Sequence, residues 1–575
     1  MSLLISGLSI AKGVAIGNAY IMTQGQIEVP EYHISDDLID SEVDRYTQAV
    51  KTTRQDLQAI SNKISSEVSI DIADFISSHI LTLDEAAINR IPKVIIRKQK
   101  INAEWALKQQ SDELIKVLNE IDNNYLHSRQ NDIMQVANII LQNLNSQDIV
   151  PFSADDNVTP RIIITEHLNP SDLVLLEKQS IAGFVSEFDA PTSHTSIMAQ
   201  NLEVPVITGI RHIHQYIKDG ELVLIDGKYG TICINPDKRS IEHYRNLKQR
   251  IKEYKLNLQN LSAKPAITLD KQKICLYANL DFSFDLKKLN KISAEGVGLY
   301  RTEFLFLNRK TLPDENEQLN FYRDLAELNI PINIRTLDVN ADEPLPTIKK
   351  EVEFNNPMLG LRAIRFSLSH PDIFKTQLSA IIKASAYGKI NIILPMIISL
   401  DELLLSKQYI REVMNDLSEK HIDFDPTIKI GVMVETPAMA LSLQLFAKHV
   451  DFFAIGTNDL VQYILALDRA DEQVGHLYDP CHPAVLNLIY QIIQTAQEEN
   501  LPIYMCGEMA SNTKYTRLLL GMGLKIFSSI PAQLLEIKKI IRNSSIDKAK
   551  VYVNEILKTS SSKRIKELIS KLNHA

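Results

Sequence analysis

The stretch Ile428-Lys429-Ile430-Gly431-Val432-Met433-Val434-Glu435-Thr436 sets the pattern for the second half of this chain. It is an apolar run that ends in a carboxylate and a hydroxyl. The next run of this kind, from Asp451 to Asn458, also has an apolar centre and a polar end. Apolar runs of this length, bounded by polar residues, are typical of strands that are buried in a parallel sheet.

Six further runs of the same kind occur after Lys264. Together the eight candidate strands are Ile274–Leu280, Gly296–Phe306, Ile332–Val339, Ile390–Ile397, Ile428–Thr436, Asp451–Asn458, Ile503–Cys506 and Leu524–Ser528. Their spacing leaves room for a helix after each strand, which predicts a C-terminal (β/α)8 TIM barrel. An open doubly wound sheet is the alternative, and both the number of strands and the polar strand ends favour the barrel.

The residues before the barrel show two different patterns. Short β segments with turn glycines occupy the first 25 residues, and β signals return at Arg161–Thr165 and Leu222–Gly227. Between them, residues 35–146 lack glycine and carry apolar residues three or four positions apart, which predicts a helical bundle. We therefore predict a multidomain α/β protein: a discontinuous α/β domain (1–34 and 147–236), an inserted helical bundle (35–146), a linker helix (237–262) and the barrel (263–575).

The composition excludes several classes of protein. No window approaches the ~20 uninterrupted apolar residues of a membrane span, and the first residues lack the basic start and long apolar run of a secretory signal. Four scattered cysteines without metal-type spacing are typical of reduced, cytoplasmic thiols. A net charge of −9 argues against a nucleic-acid surface. We expect a cytoplasmic protein with neither membrane insertion nor a nucleic-acid partner.

Polar or charged residues stand at the end of nearly every predicted barrel strand. They are Asn279, Arg301, Glu303, Arg335, Asp338, Glu435, Asn458, Asp459, Cys506 and Glu508. Active sites of such barrels lie at the carboxyl ends of the strands, so these positions converge by topology. One such residue alone is a solvated loop charge, but the set spread over half a dozen strands predicts a site.

The residue types in this set indicate the ligand. Guanidinium groups suited to phosphate and carboxylate come from Arg301, Arg335, Arg362 and Arg469. Glu435 and Asp459 stand one βα unit apart, and two carboxylates beside a phosphate are suited to Mg²⁺. Cys506 can donate a proton to a carbanion or enolate, although cysteine is also a common buried residue. The predicted ligand is a small anion that carries both a phosphate and a carboxylate.

A second reactive group lies in Thr192-Ser193-His194-Thr195-Ser196-Ile197-Met198-Ala199. An imidazole nitrogen is nucleophilic near neutral pH, and a helix N-terminus offers unpaired N–H groups to a phosphoryl group bound there. The alternative is that Thr192 or Ser193 is an ordinary N-cap and that His194 is an exposed first-turn residue.

These residues together resemble Enzyme I of the bacterial phosphoenolpyruvate:sugar phosphotransferase system, over essentially the full chain. The matching strings are Ala11–Gly17, Thr192–Ala199, Glu295–Phe306, Asn356–Gly360, Gly431–Pro437, Ile455–Leu460 and Met505–Glu508. Pyruvate phosphate dikinase and phosphoenolpyruvate synthase share the phosphohistidine domain and the barrel, but they also carry a large ATP-binding domain for which this chain has no room. A dikinase-like enzyme that receives ATP through another subunit is a further alternative.

The resemblance implies a mechanism and partners. Phosphoenolpyruvate (PEP) would bind at the barrel mouth with Mg²⁺, and His194 on a swivelling domain would accept the phosphoryl group. The implied substrate residues are Arg301, Arg335, Arg362, Asn458 and Arg469, the implied metal ligands are Glu435 and Asp459, and Cys506 would protonate the enolpyruvate. The helical domain would bind the phosphocarrier protein HPr, and the barrel would form a homodimer. His79, Asp84 and Glu85 are candidate carrier contacts, with a solvated helix face as the alternative.

The chain departs from the family pattern in two active-region stretches. Asp189-Ala190-Pro191 stands where the family has Gly-Gly-Arg, and Asn340-Ala341-Asp342-Glu343 stands where it has Gly-Gly-Asp-Lys. Smaller changes are Leu361 for Trp in the barrel and Met134 for Arg in the helical domain. Both loop changes move charge the wrong way for a trianionic substrate, while every reacting group remains. We expect an active but altered enzyme; the alternative is a catalytically weak paralogue that binds PEP or a carrier as a regulator.

Overall fold

A computed structural model describes most of the chain. The described residues are 2–22, 29–64, 79–119 except 81 and 84, 133–144 except 135, 138 and 142, 160–165, 181–187, 204–280, 289, 292–306, 309, 311–339, 357–469 and 474–574. The chain divides into two compact units, Met1–Tyr254 and Lys255–Ala575. No helix in the described ranges is long and apolar enough to cross a membrane.

The first unit contains an eight-stranded mixed sheet. Its strands are β1 (Leu3–Ser6), β2 (Leu8–Ala11), β3 (Val14–Met22), β4 (Arg161–Thr165), β5 (Ile181–Ser186), β6 (Val206–Thr208), β7 (Leu222–Asp226) and β8 (Thr231–Ile234). They lie in the order β1-β8-β7-β3-β4-β5-β6-β2. Strands β3 to β6 are parallel, and the pairs at either side of them are antiparallel. The sheet therefore joins strands from before and after the helical segment of the sequence.

The described part of the sequence between β3 and β4 is mainly helical. Those described are Ile39–Ile64, Ala86–Asn89, Ile91–Gln99 and Ala103–Asn119. They have a core of their own, in which Tyr46, Ile96 and Leu107 are fully buried. Apolar residues at helical spacing form this core, as the pattern of Val43, Tyr46 and Val50 predicts. A further helix, Lys238–Gln259, follows the sheet.

The bundle corrects one expectation about carrier contacts. His79 is only 1% exposed, and Leu83, one helical turn later, is fully buried. A residue on that inward face packs into the core instead of meeting a partner, so the interpretation of His79 as a carrier contact is wrong. Glu85 is half-buried, and Asp84 lies outside the described residues.

The second unit is a closed parallel barrel of eight strands. They are β9 (Cys275–Leu280), β10 (Gly296–Tyr300), β11 (Ile332–Arg335), β12 (Ile390–Leu394), β13 (Lys429–Val434), β14 (Phe452–Ile455), β15 (Ile503–Met505) and β16 (Ile526–Ser529). Each pairs with its neighbours in the chain, and β16 closes the ring on β9. The predicted TIM barrel is therefore confirmed, and the open sheet is excluded.

Helices surround this barrel. Those described are Glu315–Ala326, Ile364–Ser369, Pro371–Ala384, Leu400–Glu419, Pro437–Leu441, Leu443–Ala447, Thr457–Leu465, Pro483–Glu498, Glu508–Ser511, Thr516–Met522, Pro531–Arg542, Ile546–Ile556 and Ser562–His574. Inside the ring, Leu299, Met433 and Tyr504 belong to a buried apolar cluster. The Tyr504 hydroxyl donates to the Gly298 carbonyl at 2.7 Å, so the barrel interior is filled and any site lies at its mouth.

Candidate active site

A cavity of about 440 Å³ opens at the carboxyl ends of the barrel strands. Its lining includes all eight barrel residues to which the family resemblance gives a role: Arg301, Arg335, Arg362, Glu435, Asn458, Asp459, Arg469 and Cys506. The fold thus brings together in one place side chains that are spread over much of the second unit. Their individual roles stay predictions.

The strand ends explain this convergence. Arg335 is the last residue of β11, and Arg301, Glu435 and Cys506 each come directly after β10, β13 and β15. Asp459 lies in the first turn of helix Thr457–Leu465, which starts just after β14. Parallel strands in a barrel end at the same rim, so residues at equivalent positions point to one volume.

Two of the arginines are held by carboxylates in a buried network. Arg335 Nη1 lies 2.7 Å from Asp338 Oδ2, and Arg335 Nη2 lies 2.9 Å from Glu303 Oε1. Arg362 Nε lies 3.1 Å from Asp338 Oδ1, and its Nη1 lies 3.1 Å from Asp459 Oδ1. Although burial opposes the charged form, these carboxylates raise the pKa of both arginines, so both remain cations.

Glu435 is the more deeply buried of the two carboxylates predicted to hold a metal. Glu435 is 1% exposed, and its Oε1 accepts a hydrogen bond from the Met396 amide at 2.7 Å. Burial raises the pKa of Glu435 well above its usual value, and the negative charges of Asp459 and Asp338 add to this effect. A cation would relieve that repulsion, so the donor set fits a hard divalent ion.

The shape of the donor set also limits the kind of metal. Among the described residues there is no cluster of three or more His, Cys, Asp or Glu side chains that could hold an ion. Two carboxylates beside an open cavity fit an ion that keeps water or substrate oxygens in its shell, as Mg²⁺ does.

Cys506 lies deeper in the same cavity and is 3% exposed. Its Sγ lies 3.5 Å from the Met433 sulfur and 3.6 Å from the Ile455 carbonyl oxygen. Burial, followed by the charge of Glu435, raises the pKa of the Cys506 thiol to about 12. The group is therefore a protonated thiol at neutral pH, which can give a proton but is a poor nucleophile.

Asn458 and Arg469 meet at the rim of the cavity through Glu508. The Glu508 carboxylate accepts from Asn458 Nδ2 at 3.0 Å and from Arg469 Nη1 at 2.7 Å. The Glu508 amide in turn donates to Asn458 Oδ1 at 2.8 Å. Glu508 follows β15, so its contacts hold Asn458 and Arg469 in place from the end of another strand. The Arg469 side chain remains 44% exposed.

Sequence reasoning did not assign a site role to two residues that touch the arginines. In the sequence Asp338 is only one polar strand end among several, yet it contacts both Arg335 and Arg362. Tyr463 is not among the predicted residues, and its hydroxyl accepts from Arg362 Nη1 at 3.2 Å. A sequence signal existed for Tyr463, because it lies one helical turn after Asp459 and so shares its helix face.

Several predicted features lie outside the described residues. These are His194 with its surrounding stretch Thr192–Ala199, and the substituted stretches Asp189–Pro191 and Asn340–Glu343. Leu361, by contrast, is described and half-buried beside Arg362 in the chain, and Met134 is 45% exposed in the helical bundle.

Three family models match the chain. The "PEP-utilising enzyme, PEP-binding domain" model covers residues 255–546, the N-terminal model of the same family covers 6–129, and its mobile-domain model covers 158–230. The first of these contains every residue of the barrel cavity described above.

Three relatives that match over nearly their whole length are named phosphoenolpyruvate-protein phosphotransferase. That of Cupriavidus necator is 38% identical, with 97% of this chain and 97% of the relative covered. That of Haemophilus influenzae is 37% identical, with 98% of each chain covered. That of Buchnera aphidicola subsp. Schizaphis graminum is 36% identical, with 99% of this chain and 100% of the relative covered. The chain therefore belongs to the PEP-utilising enzyme family, in the branch of the phosphoenolpyruvate-protein phosphotransferases.

Proposed function

We propose that this protein is an Enzyme I: it transfers the phosphoryl group of PEP to His194 and then to the phosphocarrier protein HPr or a homologue. One observation carries the proposal. A single cavity at the barrel mouth combines four arginines, two adjacent carboxylates and a protonated thiol, and these are the groups that binding and splitting PEP require.

The four arginines lie at two depths in the cavity. Arg301 and Arg469 are exposed at the cavity and are the first cations that an incoming anion meets. Arg335 and Arg362 are more deeply buried, are held in place by carboxylates, and also line the cavity. Forked donors of this kind suit the phosphate and carboxylate groups of PEP.

Glu435 and Asp459 are the proposed ligands of Mg²⁺, which when bound neutralises and orients the phosphoryl oxygens. This proposal is supported by the setting of Glu435: burial raises its pKa and the charges of Asp459 and Asp338 add to the effect, so a cation bound between the carboxylates would stabilise their charged forms. Arg362 contacts Asp459 and so connects the proposed metal ligand to the proposed phosphate donors.

The chemical step moves one phosphoryl group and one proton. The imidazole nitrogen of His194 forms a bond to phosphorus as the bond from phosphorus to the enol oxygen breaks, which leaves enolpyruvate as the enolate. The methylene carbon of that enolate takes the proton of the Cys506 thiol, which gives pyruvate and a thiolate. With a pKa of about 12, the thiolate regains its proton from water.

Partners and location follow from the family resemblance. We propose a cytoplasmic homodimer that assembles through the barrel and delivers phosphoryl groups to HPr by way of the helical domain. Free thiols at all four cysteines agree with a reducing compartment. Two leucines on adjacent barrel helices, Leu441 and Leu445, are 70% and 65% exposed and offer apolar surface for a dimer. Sedimentation of Leu445→Glu beside the wild type tests this surface.

Radiolabelled PEP tests the proposed reaction. The wild type, His194→Ala and His449→Ala are incubated with labelled PEP and Mg²⁺, and acid-labile protein-bound label is counted before and after HPr is added. His449→Ala is the matched control, because this substitution removes an imidazole of the barrel unit that does not line the cavity.

We expect label on the wild type and on His449→Ala, none on His194→Ala, and loss of label to HPr. The absence of label from the wild type at saturating PEP would refute the proposal. If PEP nevertheless bound, the regulatory alternative would replace it.

A further inference from the structure

Asp338 is the carboxylate through which the two deep arginines of the cavity are joined. Its Oδ2 lies 2.7 Å from Arg335 Nη1, and its Oδ1 accepts from Arg362 Nε at 3.1 Å. A second contact, from Arg362 Nη2 to Oδ2 at 3.4 Å, makes the Arg362 pairing two-pronged. Bidentate pairing fixes the plane of a guanidinium as well as its position.

The segment that carries Asp338 is itself held in place. The Asp338 amide donates to Glu303 Oε1 at 3.3 Å, and the preceding amide, that of Leu337, donates to Gln377 Oε1 at 2.9 Å. Gln377 is 1% exposed, and the Asp338 side chain is 2% exposed. Buried hydrogen bonds of this kind fix the backbone, so Asp338 offers its oxygens in one orientation.

The effect of Asp338 continues to the proposed metal ligand. Arg362, fixed by Asp338 through Nε and Nη2, presents Nη1 to Asp459 Oδ1 at 3.1 Å. Through Arg362, one aspartate thus orients a guanidinium and a carboxylate that both line the cavity. Partners of this sort commonly matter nearly as much as the groups that they orient.

We infer that Asp338 is a positioning residue for phosphoenolpyruvate: it sets Arg335 and Arg362 in the geometry in which they bind the anion, although its own charge repels that anion. The inference rests on the proposed function, because PEP is the ligand. It assigns to Asp338 a role that the sequence did not predict.

The direction in which Asp338→Asn changes the affinity for PEP distinguishes a positioning role from an effect of net charge. Asp338→Asn keeps the size of the side chain but removes its negative charge and turns an amide N–H₂ toward guanidinium donors. If only net charge mattered, the variant would bind the trianion more tightly, because the cavity becomes more positive. Positioning predicts the opposite: binding weakens by about 10- to 100-fold, the usual effect of losing a partner that orients a binding group.

Calorimetric titration of PEP with Mg²⁺ present measures this. The full-length protein carries His194→Ala throughout so that no phosphoryl transfer occurs, and Asp338→Asn is compared with Asp451→Asn. Asp451 is the matched control, because it accepts a backbone hydrogen bond from Ile430 at the opposite end of the barrel strands. We expect a 10- to 100-fold higher Kd for Asp338→Asn and an unchanged Kd for Asp451→Asn.

The titration also separates a folding defect from a binding defect. A misfolded fraction lowers the number of sites per chain, whereas lost positioning raises the Kd of the sites that remain. Should Asp338→Asn fail to fold, Glu303→Gln tests the same network more gently, since it weakens one contact to Arg335, and a severalfold higher Kd is expected.

Each outcome decides the inference. An equal or lower Kd in the folded variant would overturn the positioning role and leave the proposed function intact. No PEP binding by the protein with Asp338 intact would overturn the proposed function and this inference with it.

Discussion

Gly456→Ala is expected to weaken metal binding without unfolding the barrel. Gly456 has φ −91° and ψ 85°, a conformation that alanine adopts, so only space opposes the change. The added Cβ would lie 2.8 Å from Glu435 Oε2 and 3.0 Å from Glu435 Cβ. The new methyl group therefore presses directly on the more deeply buried of the two proposed metal ligands.

The size of the effect follows from the contacts of Glu435. Ordinary van der Waals contact begins at 3.4 Å, so the carboxylate must move by about 0.6 Å, while its Oε1 is held by the Met396 amide at 2.7 Å. Metal sites tolerate errors of about 0.2 Å in ligand position, and Mg²⁺ demands near-ideal geometry. We expect metal affinity to fall by about 10- to 100-fold, with about 1–3 kcal/mol of destabilisation from overpacking.

Titration with Mn²⁺ as a spectroscopic substitute, together with thermal melting, tests this expectation. Gly521→Ala is the matched control: its Cβ would lie 2.7 Å from Val553 Cγ2 and 2.8 Å from the Ala549 carbonyl carbon, between two helices away from the cavity. We expect both variants to lose stability and only Gly456→Ala to lose metal affinity. Wild-type affinity in a folded Gly456→Ala would refute the assignment of Glu435 as a metal ligand.

Three further changes test the site. Because the pKa of the Cys506 thiol is raised to about 12, its alkylation by iodoacetamide is expected to quicken about tenfold per pH unit from pH 7 to 10 without a plateau, and a plateau near pH 9 would contradict this. Gly507→Ala would place a Cβ 1.9 Å from Thr457 Oγ1, so we expect a loss of about 10²-fold in labelling rate, and a wild-type rate would argue against tight coupling of the two strand ends. Tyr463→Phe removes the hydroxyl that contacts Arg362 at 3.2 Å, and a severalfold higher KM for PEP with kcat nearly unchanged is expected; an unchanged KM would contradict it.

The barrel could be predicted from the sequence because its strands are buried on both faces. Such strands read as continuous apolar runs, and β13 (Lys429–Val434) lies within the predicted run Ile428–Thr436. The ends were less well predicted. The sequence predicts one strand over Gly296–Phe306, but β10 ends at Tyr300 and a 3₁₀ turn follows at Glu303–Leu305. Apolar residues resume at Phe304–Phe306 after the polar stretch Arg301–Glu303, and this second apolar stretch extends the predicted run past the end of the strand.

The members of the site could be predicted, but their pairing could not. A polar residue at the end of a buried strand is visible in one sequence, which is why Arg335, Glu435 and Cys506 were found. Which carboxylate contacts which arginine depends on side-chain directions across three strand ends, and sequence spacing does not encode these directions. Asp338 therefore looked like one strand-end charge among several, although it holds both deep arginines.

The sequence also does not show which helix residues of the first unit are buried. Both sequence interpretations of His79, a carrier contact or part of a solvated helix face, place it on the outside of the bundle, yet it is 1% exposed in the structure. A short helical segment leaves its inward face ambiguous, because one residue of shift in phase moves a side chain by about 100° around the axis.

The measurement that tests the central claim most directly is a crystal structure of the full-length His194→Ala protein with PEP and Mn²⁺. We predict an anomalous peak between the carboxylates of Glu435 and Asp459, and a phosphate group within hydrogen-bond distance of Arg301 and Arg335. A metal peak elsewhere, or PEP bound outside the barrel cavity, would contradict the assignment of this cavity as the phosphotransferase site.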